Sequence, residues 1–229
     1  MWIEFPEAAE RTLSVATEHI LGDPSTYRPV RSKLILNERI ESAGTSAIRL
    51  CYRLEAIEVQ QNASDLKRKL EQAQGACFEL IINERGCILG APKLDEPGPP
   101  WMLASLSEDL RTAWSLPIDS PFEVGATWQE TPAMPRSMPD EVRAASARAQ
   151  HRITSLEGDW LEVQSAFELS LKMRERRRGG PLHGGGKQTA RFHKTRGLVQ
   201  ARKETKILVS LDSGPEPAAI LSMELAAIS

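Results

Sequence analysis

The residues best suited to chemistry lie between positions 172 and 206, where twelve Lys or Arg stand against two Glu. Twelve positive and two negative charges give this segment +10, and the chain total of −2 leaves −12 for the remainder. Guanidinium and ammonium groups bind phosphates by charge, independently of sequence and in a salt-sensitive manner. The predicted ligand- or partner-binding residues are Arg174, Arg176, Arg177, Arg178, Lys187 and Arg191. The alternative is that the glycine-rich stretch 172–187 is a mobile, solvated hairpin loop.

Motifs for catalysis or cofactor binding are incomplete in this chain. Gly184-Gly185-Gly186-Lys187 resembles part of a phosphate-binding loop, but Pro181 and Gln188 occupy positions where that loop needs Gly and Ser or Thr. The four histidines fall on separate segments, and no pair of carboxylates is singled out by its spacing as acid and base. We therefore predict no catalytic residue, no metal site and no cofactor, and a protein that is not an enzyme.

Cysteine content and hydropathy bear on location. Cys51, Cys77 and Cys87 are odd in number and lack metal-ligand spacing, so we predict three small core residues rather than disulfides or a zinc site. No stretch approaches the 18 apolar residues of a membrane span, and residues 1–7 lack the basic start and apolar run of a signal peptide. These features predict a cytoplasmic protein without a membrane span, or an exported one if a leader has been removed.

A seam divides the chain at residues 101–128. Ser105 and Glu108 have the spacing of a capping box, which predicts a helix from Leu106 to Ser115 that ends before Pro117. Residues 122–128 then favour a strand. The short helix has one apolar stripe, which predicts that it packs against a sheet.

Period-two alternation of apolar residues predicts strands on both sides of the seam. Segment 7–21 is compatible with helix or strand, 62–75 favours a surface helix, and 92–100 favours a proline-rich linker. Segment 140–150 is alanine-rich, yet its position favours a strand. The predicted strands are 27–40, 47–59, 77–82, 87–91, 160–173, 189–193, 198–211 and 218–227.

The two halves of the chain repeat the same order of features. Residues 150–163 align with 37–50, and residues 194–199 align with 83–88, at nearly the same offset. An internal duplication explains both alignments. We predict an α+β, predominantly β fold of two repeated, curved antiparallel meanders, half-barrel-like, with a short helix between them. The predicted domains are 1–100, 101–121 and 122–229, with the repeats packed as one globular unit.

The seam also carries a family resemblance. Residues 116–128, LPIDSPFEVGATW, resemble the LPxxPVxVGdxW signature of a group of uncharacterised bacterial proteins, mostly exported or lipid-anchored. The resemblance implies a duplicated antiparallel β fold whose hairpins carry an aromatic residue and a glycine, as Phe192 and Gly197 do here. Ala126 departs from the acidic or polar residue of that signature. The resemblance implies no active-site residues.

Three functions follow from these features. The first is a non-enzymatic binding or assembly protein whose curved sheets contact a protein partner or a second copy. The second is a carrier that holds an apolar or acyl ligand in a half-barrel, which requires a continuous apolar concave surface. The third is a nucleic-acid accessory protein that acts through segment 172–206.

Overall fold

The computed structural model describes residues 4, 9–21, 29–42, 47–60, 72–83, 85–90, 93–94, 101–114, 116–117, 122–131, 142–173, 182–211 and 214–228. They form eleven strands and one helix. The strands of the first half are β1 (Ala9–Leu21), β2 (Val30–Ser42), β3 (Ala47–Gln60), β4 (Cys77–Asn83) and β5 (Lys93–Leu94). Helix α1 (Trp101–Ala113) follows. The second half contains β6 (Thr127–Glu130), β7 (Val142–Glu157), β8 (Trp160–Met173), β9 (Leu182–His193), β10 (Gly197–Leu211) and β11 (Gly214–Ala227).

All eleven strands belong to one curved antiparallel sheet, in the order β5-β4-β3-β2-β1-β11-β10-β9-β8-β7-β6. The first and last strands meet at its centre, where Leu13 pairs with Ala227 and Leu21 with Ala219. The strand-rich fold with one short helix confirms the predicted fold class. The two halves are joined edge to edge in the same sheet, with β5 and β6 at its two open ends.

Burial alternates along the strands and defines one buried face of the sheet. In β2 the residues Ser32, Leu34, Leu36, Glu38 and Ile40 are buried, and the intervening residues keep more exposure. The period of two places these five side chains on the same side. Helix α1 lies on that side, which we call the inner face.

The predicted start of the helix at Leu106 was wrong, because α1 begins at Trp101. Good helix formers at Met102, Leu103 and Ala104 extend the helix by five residues, so the Ser105–Glu108 pattern lies inside it. There the Glu108 carboxylate accepts a hydrogen bond from Arg111 Nε at 2.7 Å. The predicted end was correct to within two residues, and the extended, buried Leu116 and Pro117 follow.

Two predicted strands beside the helix were largely wrong. Residues 122–126 form a turn in which Gly125 has a φ of 93° and donates its N–H to the Ile153 carbonyl, so β6 starts only at Thr127. Segment 87–91 contributes a single bridge between Ile88 and Ile82 instead of a strand. The surface helix at 62–75 lies mostly outside the described residues, and residues 72–75 form a turn.

Residues 182–187 of the glycine-rich stretch 172–187 form part of a strand where a loop was predicted, whereas residues 174–181 lie outside the described residues. β9 begins at Leu182 and includes Gly184, Gly185 and Gly186. A Cβ at Gly186 would lie 2.5 Å from Phe167 Cζ and 2.0 Å from the Glu204 carbonyl oxygen. Glycine is therefore needed because the Phe167 ring packs directly onto the strand backbone.

Side-chain positions correct the prediction that all three cysteines are core residues. Only Cys87 is buried, whereas Cys51 and Cys77 are half-buried on the opposite face. Their strand positions alternate with the core residues Tyr52 and Phe78, which explains the difference. Of the tryptophans, Trp114 is fully buried in the core, whereas Trp160 is 37% exposed.

The segments used to infer a duplication have corresponding places in the sheet. Residues 37–42 and 47–50 lie in the paired strands β2 and β3, and residues 150–163 lie in the β7–β8 hairpin. Gly86 and Gly197 both have positive φ, at 81° and 67°. The duplication itself and the predicted domain boundaries stay predictions.

Candidate functional site

A row of polar side chains crosses the inner face on five neighbouring strands. Strand pairing places Trp128, His151, Ser165, Gln188 and Lys203 in register across β6, β7, β8, β9 and β10. We call these five residues the polar row. Three of them are almost completely buried: His151 at 2%, Ser165 at 5% and Gln188 at 2% exposure. Buried polar groups need hydrogen-bond partners, so their contacts determine what the row can do.

Helix α1 covers the polar row with its charged side. Arg111 Nη1 donates to Glu130 Oε1 at 2.6 Å. Lys203 Nζ donates to Asp109 Oδ1 at 2.5 Å, and Gln188 Nε2 donates to the Thr112 carbonyl at 3.2 Å. These contacts fix the helix across strands β6, β9 and β10.

His151 is the most reactive group of the row. Its Nδ1 lies 2.8 Å from Ser165 Oγ, its Nε2 lies 3.7 Å from Glu130 Oε2, and its ring stacks on Trp128 with centroids 5.1 Å apart. Burial lowers the pKa of His151 below its ordinary value of 6.5, and the opposing attraction of Glu130 only partly compensates. His151 is therefore neutral at pH 7, and its Nδ1 can either donate a hydrogen bond to Ser165 Oγ or accept one from it. A distance of 3.7 Å to Glu130 is too long for the hydrogen bond that orients histidine in a serine hydrolase triad.

Three buried atoms around the row lack a hydrogen-bond partner within the part of the chain that the structure describes: Arg111 Nη2, Trp128 Nε1 and Gln188 Oε1. Two are donors and one is an acceptor. Each such group left unsatisfied costs about 1–3 kcal/mol of stability. Their concentration around one row of side chains indicates a site that a small polar group can complete.

An apolar strip adjoins the polar row on the inner face. Phe167 follows Ser165 on the same side of β8, and Leu169 and Ile207 approach Gly184 from the two flanking strands. We define the apolar strip by its half-buried members: Ala147, Phe167, Leu169, Ile207 and Leu221. The Lys203 ammonium lies 4.9 Å from the Phe167 ring centroid and marks the boundary between the two surfaces. Polar row and apolar strip together form an amphipathic surface.

A second buried network ties the helix to the first half of the sheet. Arg11 binds both carboxylate oxygens of Glu38, at 3.0 and 2.8 Å through Nη2, and donates from Nη1 to the Arg196 carbonyl at 2.6 Å. Trp114 Nε1 donates to Tyr52 Oη at 3.0 Å. Burial raises the pKa of Glu38 and exceeds the opposing effect of Arg11. All four side chains are engaged with one another, so we assign this network to stability.

The predicted basic residues are not brought together in the described structure. Arg174, Arg176, Arg177 and Arg178 lie outside the described residues. Lys187 and Arg191 are exposed on the outer face of β9, opposite the helix. Lys187 pairs across the strands with Glu204, and Arg191 pairs with Glu162 and lies 5.2 Å from the Trp160 ring. This alternation of charges is typical of a solvated sheet face.

An open cavity of about 810 Å³ lies on this outer face, across β6 to β9. Lys187 lines it and Arg191 does not. Its outer-face lining residues are mostly amides, hydroxyls and cations, among them Gln129, Gln150, Arg152, Gln164 and Thr189. Four residues of the polar row, Trp128, His151, Ser165 and Gln188, also line it. The described residues contain no group of three or more His, Cys, Asp or Glu placed to hold a metal ion. No helix within the described ranges is long and apolar enough to cross a membrane.

No family model and no curated protein matches this chain. Among solved structures, a lipovitellin structure concerned with lipid–protein interactions matches 99% of this chain and 26% of its own, with 9% identity and a TM-score of 0.58. An identity this low shows a shared fold alone. The chain spans about a quarter of that lipovitellin chain. DynF, from the dynemicin biosynthesis pathway of Micromonospora chersina, matches at 11% identity over 99% of this chain and 82% of its own, with a TM-score of 0.27 that carries no argument.

Sequence reasoning did not find the polar row. Its members lie on five strands that are far apart in sequence, and no motif links them. A signal was nevertheless present, because Ser165 occupies the same strand parity as Leu161, Val163 and Phe167. A polar residue at an apolar position of an alternating strand indicates a buried polar contact.

Proposed function

We propose that this protein is a carrier that binds an apolar or acyl ligand between helix α1 and the inner face of its curved sheet. The observation that carries the proposal is the apolar strip. Phe167, Leu169 and Ile207 retain part of their surface on a face where other apolar residues are fully buried. Apolar surface of this kind favours an apolar ligand, because burial removes it from water.

Two further features support a carrier. The open sheet has a helix on one face, whose apolar side packs into the core through Leu106, Leu110 and Ala113. Arg111 and Asp109 add polar contacts between the other side of the helix and the sheet. Lipovitellin, whose solved structure concerns lipid–protein interactions, has a similar fold. The proposal therefore combines a fold with a surface of suitable chemistry.

Adjacent residues of β10 provide a matched test. Ile207 belongs to the apolar strip, while Leu208 is 37% exposed on the outer face. We expect an uncharged fluorescent C11 acyl probe, the methyl ester of dansyl-undecanoate, to bind the wild type. An Ile207→Glu variant should lose that binding, because a carboxylate would replace apolar contact surface. Leu208→Glu should bind like the wild type.

Equal binding by the two variants would overturn the assignment to the inner face. Native mass spectrometry of freshly purified protein gives an independent readout. A co-purified mass of several hundred daltons that is absent from Ile207→Glu supports the carrier. An absence of probe binding in the wild type would exclude it.

The other predicted functions have their own tests. A protein partner or homo-oligomer would use the outer face or the edge strands β5 and β6, and light scattering of the purified protein measures the assembly directly. Binding of nucleic acid or an anionic surface through Arg176, Arg177 and Arg178 would be salt-sensitive and would be lost when all three are replaced by Ser. We expect the three arginine replacements and the assembly state to leave probe binding at the inner face unchanged.

A further inference from the structure

The atoms without partners around the polar row define the chemistry of a missing group. Arg111 Nη2 and Trp128 Nε1 can only donate hydrogen bonds, and Gln188 Oε1 can only accept. Arg111 is 5% exposed and Gln188 is 2% exposed, so bulk water does not satisfy them. A ligand that offers hydrogen-bond acceptors and at least one donor matches all three atoms. An alcohol hydroxyl has this capacity.

The charge around the row argues against an ionised ligand. Arg111 lies between the carboxylates of Glu108 and Glu130, and Lys203 is paired with Asp109. Two cations thus face three carboxylates, which leaves an excess of negative charge. A fatty-acid carboxylate would add to this excess, and an ammonium group would face the unmet N–H donors. An uncharged head group adds no negative charge and can still accept hydrogen bonds from the N–H donors.

We propose that the polar row binds the uncharged, hydroxyl-bearing head group of an apolar ligand whose chain lies along the apolar strip. The inference rests on the proposed carrier function and specifies its ligand class. Hydroxyl oxygens of the head group accept from Trp128 Nε1–H and Arg111 Nη2–H, and a hydroxyl hydrogen is donated to Gln188 Oε1. Because Phe167 lies next to Ser165 on β8, the chain leaves the head group directly onto the apolar strip.

Three ligands with the same acyl chain test the head group. These are 1-monolauroylglycerol, which has hydroxyls, methyl laurate, which has none, and the laurate anion. Binding is measured by titration calorimetry and native mass spectrometry. The wild type should bind monolauroylglycerol about tenfold tighter than methyl laurate, the effect of one or two hydrogen bonds to buried groups.

Two variants test whether the polar row causes the preference for monolauroylglycerol, and a third variant on the outer face is the control. Trp128→Phe removes the indole N–H and keeps an aromatic ring against His151, and Gln188→Met removes the amide at similar volume. Both should lose the preference for monolauroylglycerol while still binding methyl laurate. Trp160→Phe, on the outer face, should retain the preference. Circular dichroism checks folding, and either folded variant alone decides the result.

The outcomes separate the two proposals. Equal wild-type affinity for monolauroylglycerol and methyl laurate overturns the head-group inference and leaves the carrier intact. Tighter binding of laurate than of monolauroylglycerol also overturns it. Binding of none of the three ligands overturns the carrier itself. A preference retained in both Trp128→Phe and Gln188→Met places the head group elsewhere and overturns the assignment to the polar row.

Discussion

Trp114 donates its indole N–H to the phenolic oxygen of Tyr52 at 3.0 Å, and neither side chain is exposed to solvent. Tyr52 belongs to β3 of the first half, where it stacks on Phe78 at 4.8 Å. The Trp114 indole meets the Phe192 ring of β9 edge-on at 5.6 Å. The single turn after α1 therefore connects both halves of the sheet. Loss of this contact should loosen the helix over the inner face.

The first prediction concerns the Tyr52 hydroxyl. Tyr52→Phe removes the acceptor for Trp114 Nε1 and a hydrogen-bond partner of the buried Glu38. We expect the free energy of unfolding in urea to fall by about 1–3 kcal/mol, the cost of leaving buried polar groups unsatisfied. Thr127→Val, which removes an exposed hydroxyl from β6, should change it by less than about 0.5 kcal/mol. Equal effects of the two substitutions would contradict the role of the network.

The second prediction concerns the buried ion pair between Arg11 and Glu38, whose side chains are 8% and 0% exposed. Arg11→Met alone leaves a carboxylate in the core and should cost about 3–5 kcal/mol in urea unfolding. The double variant Arg11→Met/Glu38→Leu removes both charges and should recover most of that loss. Additive losses in the double variant would show that the pair is itself strongly stabilising.

An exposed ion pair supplies the comparison for Arg11. Arg31 donates to Glu18 at 2.5 Å, with side chains 56% and 34% exposed. Water and salt screen this pair, so Arg31→Met should change the free energy of unfolding by at most about 1 kcal/mol. The contrast between the two arginines tests burial rather than charge.

The sequence was sufficient to predict most strands and the presence of the helix. Alternation works because burial on one face of an antiparallel sheet imposes a period of two, and β3 and β8 show it clearly. The boundaries near residues 101, 122 and 182 were wrong for local reasons. Helix propensity overrode a capping pattern, and packing of Phe167 turned a glycine tract into strand.

Sequence patterns did not predict which strands pair when they lie far apart in the chain. Nothing local indicates that Leu13 lies opposite Ala227, because register between distant strands depends on the whole sheet. The candidate site depends on that same register. Segment 172–206 attracted attention because charge is visible in sequence, whereas the polar row is assembled from single residues on five strands.

The third prediction concerns the glycine tract of β9. Gly186→Ala would place a Cβ 2.0 Å from the Glu204 carbonyl oxygen and 2.5 Å from Phe167, so β9 or β10 must shift. We expect a loss of at least about 1–3 kcal/mol in urea unfolding, and weaker probe binding because Phe167 moves within the apolar strip. Gly90→Ala serves as control, since no atom lies within 4 Å of its added Cβ. A stable Gly186→Ala variant would contradict this packing.

The last prediction follows the protonation of His151. Burial lowers its pKa below the ordinary 6.5, so near and below pH 6.5 the unfolded chain binds this proton more readily than the folded chain. Stability from the neutral imidazole is therefore present above pH 6.5 and is lost as the pH falls through the folded-state pKa.

The variant His151→Gln tests this dependence, because its amide can still hydrogen-bond near Ser165 but cannot titrate. We expect the free energy of unfolding of the wild type to decrease more steeply than that of the variant between pH 7.5 and 5.5. Glu130 and Arg111, the charged groups that act on the ring, are present in both proteins, so the difference between the two curves isolates His151. Parallel curves would show that protonation of His151 is not linked to folding.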